Sequence, residues 1–266
     1  MLFLFLHAKE VFVVAEKNVY DDETFFQGYQ KLRENTASAN ELLEKPAIFS
    51  LCPDFAGKAI LDLGCGCGEN CAAFFDRGAN RVVGVDLSEK MLAVAAQHNS
   101  RKNIQFLCMS MNDIDCLQEQ FDLVVSSLAF HYIERFDDLL KKIYTLLNED
   151  GLLIFSQEHP LTTAHTGDDY WTKSPDGSVQ HYNLTHYADQ GERHVEWLGA
   201  EVVKYHRTFS QIINSLTRAG FEIEEMQEPI PSKEQMEKYP WTKKCVHKPD
   251  FLLIKARKKP NQPMVE

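Results

Sequence analysis

Short apolar runs alternate with amphipathic stretches along most of this chain. Seven of the runs predict strands, at residues 58–63, 81–85, 104–108, 121–126, 152–156, 221–226 and 250–257. Residues between the runs have apolar positions at helical spacing, as in the stretch 134–147, where Leu139, Ile143 and Leu146 share one face. Strands that alternate with helices are typical of a doubly wound α/β sheet. We therefore predict an α/β fold with a seven-stranded sheet.

The first predicted strand runs directly into the sequence LDLGCGCGEN (61–70), which holds three alternating glycines. Glycines at a strand-to-helix turn accept positive φ angles and allow a ligand to approach the backbone closely. The helix predicted at 69–77 follows at once, and its first N–H groups are free to bind a polar ligand. The pattern predicts a nucleotide-type binding loop.

Two acidic residues indicate which kind of nucleotide this loop accepts. Glu69 stands where the dinucleotide fingerprint has its third glycine, and a carboxylate there repels a pyrophosphate. Asp86 ends the second strand, 22 residues after Gly64, where a carboxylate can accept both hydroxyls of an unphosphorylated ribose. Ribose binding without phosphate binding favours S-adenosylmethionine.

Five segments, in the expected order, resemble the class I S-adenosylmethionine-dependent methyltransferases that act on small molecules. They are LDLGCGCGEN (61–70), VVGVDLSEKML (82–92), CMSMNDI (108–114), FDLVVSSLAFHYI (121–133) and LLNEDGLLIFSQEHP (146–160). The resemblance spans about residues 18–257 and implies a Rossmann-like, doubly wound sheet whose last strand is antiparallel. It also implies S-adenosyl-L-methionine as methyl donor, with S-adenosyl-L-homocysteine as product. A cofactor-binding module without activity, or a Rossmann-like domain for another ligand, stays an alternative.

The resemblance implies cofactor roles for matching residues. Asp62, at the end of the first strand, is expected near the cofactor ammonium, and Asp86 at the ribose hydroxyls. Gly64, Gly66 and Gly68 are expected to let the cofactor approach the backbone. A buried aspartate at a strand end needs a partner for its charge, which supports a binding role for both carboxylates.

Further matching positions are expected around the adenine and the methionine portion: Leu87, Met91, Ser110, Met111, Asn112 and Ser126. Leu87 and Met91 pack on the adenine, and Ser126 lies under the methionine portion. Most relatives carry an aspartate where Ser110 stands. The backbone N–H of Met111 is therefore the expected donor to the adenine edge.

A helix predicted at 20–33 provides a second cover for the cofactor. In similar methyltransferases a tyrosine and a basic residue of this helix close over the methionine end. Tyr29 and Arg33 are four residues apart and share one face. The guanidinium fork of Arg33 suits the cofactor carboxylate, although a solvated arginine is the alternative.

Candidate catalytic residues follow the fourth and fifth strands. A sulfonium methyl is already electrophilic, so catalysis needs an aligned nucleophile, and a base only where that nucleophile still holds its proton. His131, Glu158 and His159 are predicted near the mouth of the crevice, and His206 and Arg207 return to the same region. A structural role in the pocket wall is the alternative for His131.

The regular pattern breaks between residues 161 and 205, where aromatic residues and histidines are frequent. Ligands of open α/β sheets bind beyond the carboxyl ends of the strands, so we predict that this insertion is a lid over the substrate. A β-rich decoration or a dimer contact is the alternative. We assign 18–160 plus 206–259 to the cofactor-binding domain and treat 1–17 as an extension of unknown role: an extra strand, an oligomer contact or the product of an upstream start codon.

Composition narrows the class of acceptor. The formal net charge is −11, which disfavours nucleic acid, whose binding depends on phosphate contacts. We therefore expect a small-molecule acceptor, with a protein or tRNA target as alternative and a homodimer left open. Seven scattered cysteines indicate free thiols in a reducing, cytoplasmic setting, and Cys65, Cys67 and Cys71 lack zinc-type spacing, so no metal is expected. The chain has no signal-peptide pattern and no apolar run long enough to span a membrane.

Overall fold

A computed structural model describes residues 18–167 and 169–260; the extension 1–17 and its predicted roles lie outside it. The main sheet contains β1 (Ala59–Leu63), β2 (Arg81–Asp86), β3 (Ile104–Cys108), β4 (Phe121–Ser126), β5 (Leu147–Glu158), β10 (Phe221–Gln227) and β11 (Phe251–Lys258). Two separate hairpins contain β6 (Trp171–Lys173), β7 (Val179–Tyr182), β8 (Gly191–Trp197) and β9 (Ala200–His206).

The strand order of the main sheet is β3-β2-β1-β4-β5-β11-β10. Strands β1 to β5 pair in parallel, and β11 is antiparallel to both of its neighbours. The predicted seven-stranded sheet and its antiparallel last strand are therefore confirmed. Reversal of strand order beside β1 opens a crevice at the carboxyl ends, which is where open α/β sheets bind ligands.

Helices cover both faces of the sheet. They are α1 (Glu23–Arg33), α2 (Lys45–Leu51), α3 (Glu69–Asp76), α4 (Glu89–His98), α5 (Phe136–Leu146), α6 (Pro160–Ala164), α7 (Phe209–Arg218) and α8 (Lys233–Lys238). Successive strand residues point to opposite faces, so Leu61 and Leu63 pack towards α5 and α7, whereas Ile60 packs towards α2 and α3. The described helices include none that is long and apolar enough to cross a membrane.

Strand β5 begins earlier than the sequence predicts. Leu147 pairs with Phe121 and Leu152 pairs with Leu123, so residues 148–151 bulge out opposite a single residue of β4. Asp150 takes a φ of 60° within this bulge. The residues between the predicted helix (134–147) and the predicted strand (152–156) are therefore an interruption inside a longer strand, because pairing with β4 is present on both sides of them.

The inserted segment folds as two antiparallel hairpins between α6 and α7. In hairpin β8–β9, Arg193, Val202 and Lys204 are buried, whereas Glu192 and Glu201 are exposed. One side of the hairpin therefore packs against the protein and the other remains open.

Aromatic rings join this hairpin to the first helix. The ring of Trp197 meets Phe25 edge-on at 5.4 Å between centroids and Tyr29 at 6.1 Å. Phe25 also meets Tyr20 edge-on at 5.0 Å and is fully buried. Edge-to-face pairs of this kind add to the free energy of burial. Helix α1 and hairpin β8–β9 thus share one apolar cluster.

Replacement of Phe25 tests this cluster. We expect Phe25→Ala to lower the free energy of unfolding by about 3–5 kcal/mol, because it leaves a cavity between Tyr20 and Trp197. Phe26→Ala, at the neighbouring half-buried position, is the matched control and should cost less. Urea unfolding followed by tryptophan fluorescence measures both, and equal losses would contradict the shared cluster.

Candidate active site

A cavity of about 610 Å³ lies at the carboxyl ends of the parallel strands. Its walls are the loops after β1, β2, β3 and β4, helix α1 and hairpin β8–β9. The volume is within the range of about 300–1,000 Å³ typical of small-molecule sites.

Most residues predicted to bind a cofactor line this cavity. They are Tyr29, Arg33, Gly64, Gly66, Asp86, Leu87, Met91, Ser110, Met111 and Asn112. Asp62, Gly68 and Ser126 are outside the wall. The structure brings together residues from helix α1 and from four loops, and the role of each towards the cofactor stays a prediction.

The loop after β1 offers open space beside its backbone. Gly66 has a φ of 52°, and a Cβ built on it would meet no atom within 4 Å. The Gly66 N–H donates to Oδ2 of Asp86 at 2.8 Å, which holds the loop against the end of β2. A ligand can therefore lie directly on this backbone.

Asp86 accepts hydrogen bonds at both carboxylate oxygens. Oδ1 accepts from the Ser88 N–H at 2.9 Å, and Oδ2 from Gly66. Burial raises the pKa of Asp86, while these backbone hydrogen bonds act against the rise. Each carboxylate oxygen has two lone pairs, so a second site on each remains for a ribose hydroxyl.

Comparison with known proteins decides the family. Residues 61–155 match the family model of a methyltransferase domain. A Haemophilus influenzae protein without an assigned function is 43% identical over 248 residues, which cover 91% of this chain and 97% of that one. A solved S-adenosylmethionine dependent methyltransferase from Mesorhizobium loti is 35% identical, with a TM-score of 0.74 over 83% of this chain and 98% of the other. The chain belongs to the class I S-adenosylmethionine-dependent methyltransferases.

The cofactor of this methyltransferase is S-adenosylmethionine, and the open backbone at Gly66 and the carboxylate of Asp86 fit it. A malonyl-[acyl-carrier protein] O-methyltransferase from Bacillus cereus is 31% identical over 100 residues, an alignment that covers 36% of either chain. So short an alignment carries no assignment of the methyl acceptor.

Asp62 lies beneath the glycine loop of the methyltransferase and is 1% exposed. Its Oδ2 atom accepts from the Cys71 thiol at 3.2 Å, and its Oδ1 atom has no hydrogen-bond partner among the described residues. Burial raises the pKa of Asp62 to about 7. The free Oδ1 atom is an acceptor of the kind that the predicted contact with the cofactor ammonium requires.

Gly68 and Ser126 support the loop from behind. Gly68 precedes α3 with a φ of 75° and packs against Phe106. The Ser126 hydroxyl donates to the Leu63 carbonyl at 2.8 Å and joins β4 to β1. These contacts position the cavity wall, and contact with the cofactor stays a prediction for both residues.

Arg33 lines the cavity but is already paired. Its Nη2 atom lies 2.7 Å from Oε2 of Glu69 and 3.7 Å from Oε1 of Glu41. A guanidinium carries five N–H donors, so donors remain for a cofactor carboxylate. Glu69 is the first residue of α3, at the position where the dinucleotide fingerprint would have glycine.

The three predicted catalytic residues, His131, Glu158 and His159, are outside the cavity wall. His131 is buried and accepts the Glu158 N–H at Nδ1, and burial lowers its pKa to about 4. Oε1 of Glu158 lies 2.6 Å from the Lys204 ammonium. Burial opposes ionisation of Glu158, but His131 and Lys204 outweigh it and hold its pKa below the usual value.

His159 caps helix α6, because its Nδ1 atom accepts the Leu161 N–H at 3.1 Å. Its Nε2 atom lies 3.0 Å from Oε1 of Glu228, and burial lowers its pKa. Arg207 donates to the carbonyls of Phe130 and Glu134 and so fixes the loop after β4. A catalytic role for His131, Glu158 or His159 stays a prediction that the cavity geometry does not favour.

Several tyrosines that the sequence had not singled out as site residues also line the cavity. The Tyr20 hydroxyl donates to the Tyr132 hydroxyl at 3.2 Å, and Tyr205 of β9 lies in the same wall. Burial raises the pKa of Tyr20 and of Tyr132, so both remain protonated donors. Tyr132 belongs to the fourth matching segment and Tyr20 begins the helix predicted at 20–33, and both positions were signals. In the structure Tyr20 lies in a short turn (Val19–Asp21) before α1.

Glu44 also escaped sequence reasoning. It lies at the end of a π-helical turn (Asn40–Glu44) and is 2% exposed. Its Oε1 atom accepts from the hydroxyls of Ser127 at 2.8 Å and of Ser156 at 2.5 Å. Leu128, which follows Ser127 in the sequence, lines the cavity and has a φ of 54°. Glu44 therefore holds a strained loop of the wall in place.

Gly66→Ala tests the glycine loop. The new methyl group would point into the cavity, so we expect a loss of at least about tenfold in S-adenosylmethionine affinity, measured by calorimetry. Gly57→Ala is the matched control: Gly57 has a φ of 73° and equally open surroundings, but lies away from the cavity. Both variants should lose about 1–2 kcal/mol of stability from backbone strain. Equal affinities of the Gly66→Ala and Gly57→Ala variants for S-adenosylmethionine would contradict the assignment of this loop to the cofactor.

Asp62→Asn tests the buried carboxyl. Its raised pKa means that the folded protein holds this proton after the unfolded chain has lost it, so stability falls as pH rises towards about 7. The slope from this group approaches about 1.4 kcal/mol per pH unit. The amide cannot ionise, so urea unfolding from about pH 5 to pH 7 should give the variant a flatter profile. If the free energy of unfolding changed equally with pH in the parent and the variant, folding would not raise the pKa of Asp62.

Proposed function

We propose that this methyltransferase methylates a small molecule that binds within the same cavity as the cofactor. One observation carries the proposal: the glycine loop and the open side of hairpin β8–β9 line a single cavity. Gly66 and Cys67 form one wall, and Glu192, Val203 and Tyr205 belong to the other. A volume of about 610 Å³ shared between cofactor and acceptor supports an acceptor of small-molecule size.

The residues of the cavity suit an in-line displacement. Bound S-adenosylmethionine supplies an electrophilic sulfonium methyl group, and Gly66, Asp86 and Arg33 are the residues proposed to hold it. An acceptor aligned beside it would take that methyl group, and its own proton would leave to solvent or to a wall carboxylate. Alignment of the two reactants is the main contribution of the protein.

The tyrosines supply alignment and exclude water. The Tyr132 oxygen accepts a hydrogen bond from the Tyr20 hydroxyl, and the O–H of Tyr132 itself has no hydrogen-bond partner among the residues described. We propose that this O–H donates to the methyl acceptor or to the cofactor. The rings of Tyr20 and Tyr29 meet edge-on at 5.3 Å and cover the cavity from the side of α1.

Turnover with separated cell extracts tests the proposal. The protein is incubated with methyl-labelled S-adenosylmethionine and either the dialysable small molecules or the retained proteins and RNA of an extract. We expect formation of S-adenosylhomocysteine and labelled product with the small-molecule fraction, and none with Gly66→Ala. Label in the macromolecular fraction, or cofactor binding without turnover in either fraction, would overturn the proposal.

A further inference from the structure

The wall of the cavity is strongly acidic beyond the part assigned to the cofactor. Arg33 is the one lysine or arginine among the described residues that line it, and it is paired with Glu69. Glu134, Glu192 and Glu201 also line the cavity. A phosphate or carboxylate entering here would meet like charges, whereas a cation would be attracted.

His194 orients two of these carboxylates. Its Nε2 atom lies 2.6 Å from Oε1 of Glu192, and its Nδ1 atom lies 3.1 Å from Oε1 of Glu201. Hydrogen bonds that the imidazole donates to the carboxylates of Glu201 and Glu192 raise the pKa of His194. Even with this imidazole protonated, the three side chains keep a net negative charge.

Aromatic rings lie beside the carboxylates. Tyr205 pairs with Glu192 across the hairpin, and directly opposed residues project to the same face. Tyr20 and Tyr132 line the same cavity. Carboxylates together with aromatic rings are the surroundings that recognise an organic ammonium group, through ion pairing and cation–π attraction.

We infer that the acceptor carries a basic amine, held as its ammonium ion by Glu192 and Glu201 of hairpin β8–β9. The inference rests on the proposed function, because it takes the acceptor to be a small molecule. The amine is a recognition group and does not define which atom is methylated. Both glutamates are thus specificity-determining residues, and His194, which lies between them and contacts one with each ring nitrogen, is a positioning residue.

Matched pairs of ligands test the inference on the protein loaded with S-adenosylhomocysteine. The probes are tyramine against 4-hydroxyphenylacetate, histamine against imidazole-4-acetate, and tryptamine against indole-3-acetate, with binding measured by calorimetry. We expect at least one amine to bind about tenfold or more tightly than its acid partner, with an advantage that shrinks as salt is added. Equal binding of the acids, or no binding by any of the amines, would overturn the inference.

A charge-neutral variant shows whether the glutamates are responsible. The double variant Glu192→Gln with Glu201→Gln should lose about tenfold in amine affinity while its affinity for S-adenosylhomocysteine is unchanged. Glu196→Gln is the matched control, since Glu196 lies on the same strand but does not line the cavity. Unchanged amine affinity in the double variant would overturn the assignment.

The cofactor itself provides a further arm. If the double variant binds S-adenosylmethionine more weakly but S-adenosylhomocysteine normally, the glutamates act on the sulfonium charge and the inference fails. Failure of the proposed function is recognised separately, because label then enters proteins or RNA. Turnover of small molecules without preference for amines would leave the proposed function intact and overturn this inference alone.

Discussion

The carboxylate of Asp86 holds together the elements on which the rest of the site depends. It accepts the Gly66 N–H from the loop after β1 and the Ser88 N–H from the start of α4. The Ser88 hydroxyl in turn donates to Asp21 at 2.7 Å, which fixes the turn that carries Tyr20. A single, partly buried carboxylate thus links two sheet loops to the first covering element. Withdrawing a carboxylate from water is costly unless its oxygens are satisfied, so this arrangement is strongly specified.

Charge performs a second structural task at the inserted segment. Lys204 is 9% exposed at its side chain and lies against Glu158 at the end of β5. Removal of either partner would leave a charge in poorly hydrated surroundings, which is much more costly than loss of an exposed pair. Residues that sequence reasoning selected for chemistry, Glu158 and His131, therefore contribute to the attachment of hairpin β8–β9. A polar residue after a parallel strand is a candidate for catalysis, but its neighbours decide whether it is available.

The sheet could be predicted from the sequence because each strand, and the glycine turn after the first, is marked by residues that are close together in the chain. Such local signals also led to Asp86 and to nine further residues of the cavity wall. The bulge at 148–151 was missed because pairing on both sides of it is a property of the sheet. Glu44 reaches Ser127 from far away in the chain, and no nearby pattern marks such a contact. The open face of hairpin β8–β9 depends on which of its two sides packs inward, and this too is set by tertiary structure.

The ring of Trp197 has a consequence for the order of events in a catalytic cycle. It packs on Phe25 and Tyr29 of α1 while it belongs to the hairpin that forms the opposite wall. A displacement of α1 that opened the cavity would therefore also displace the hairpin on the opposite wall. Helix α1 and hairpin β8–β9 are joined through Trp197, so the two walls would open together and not independently. On the proposed function, such an opening would release S-adenosylhomocysteine and the methylated product together.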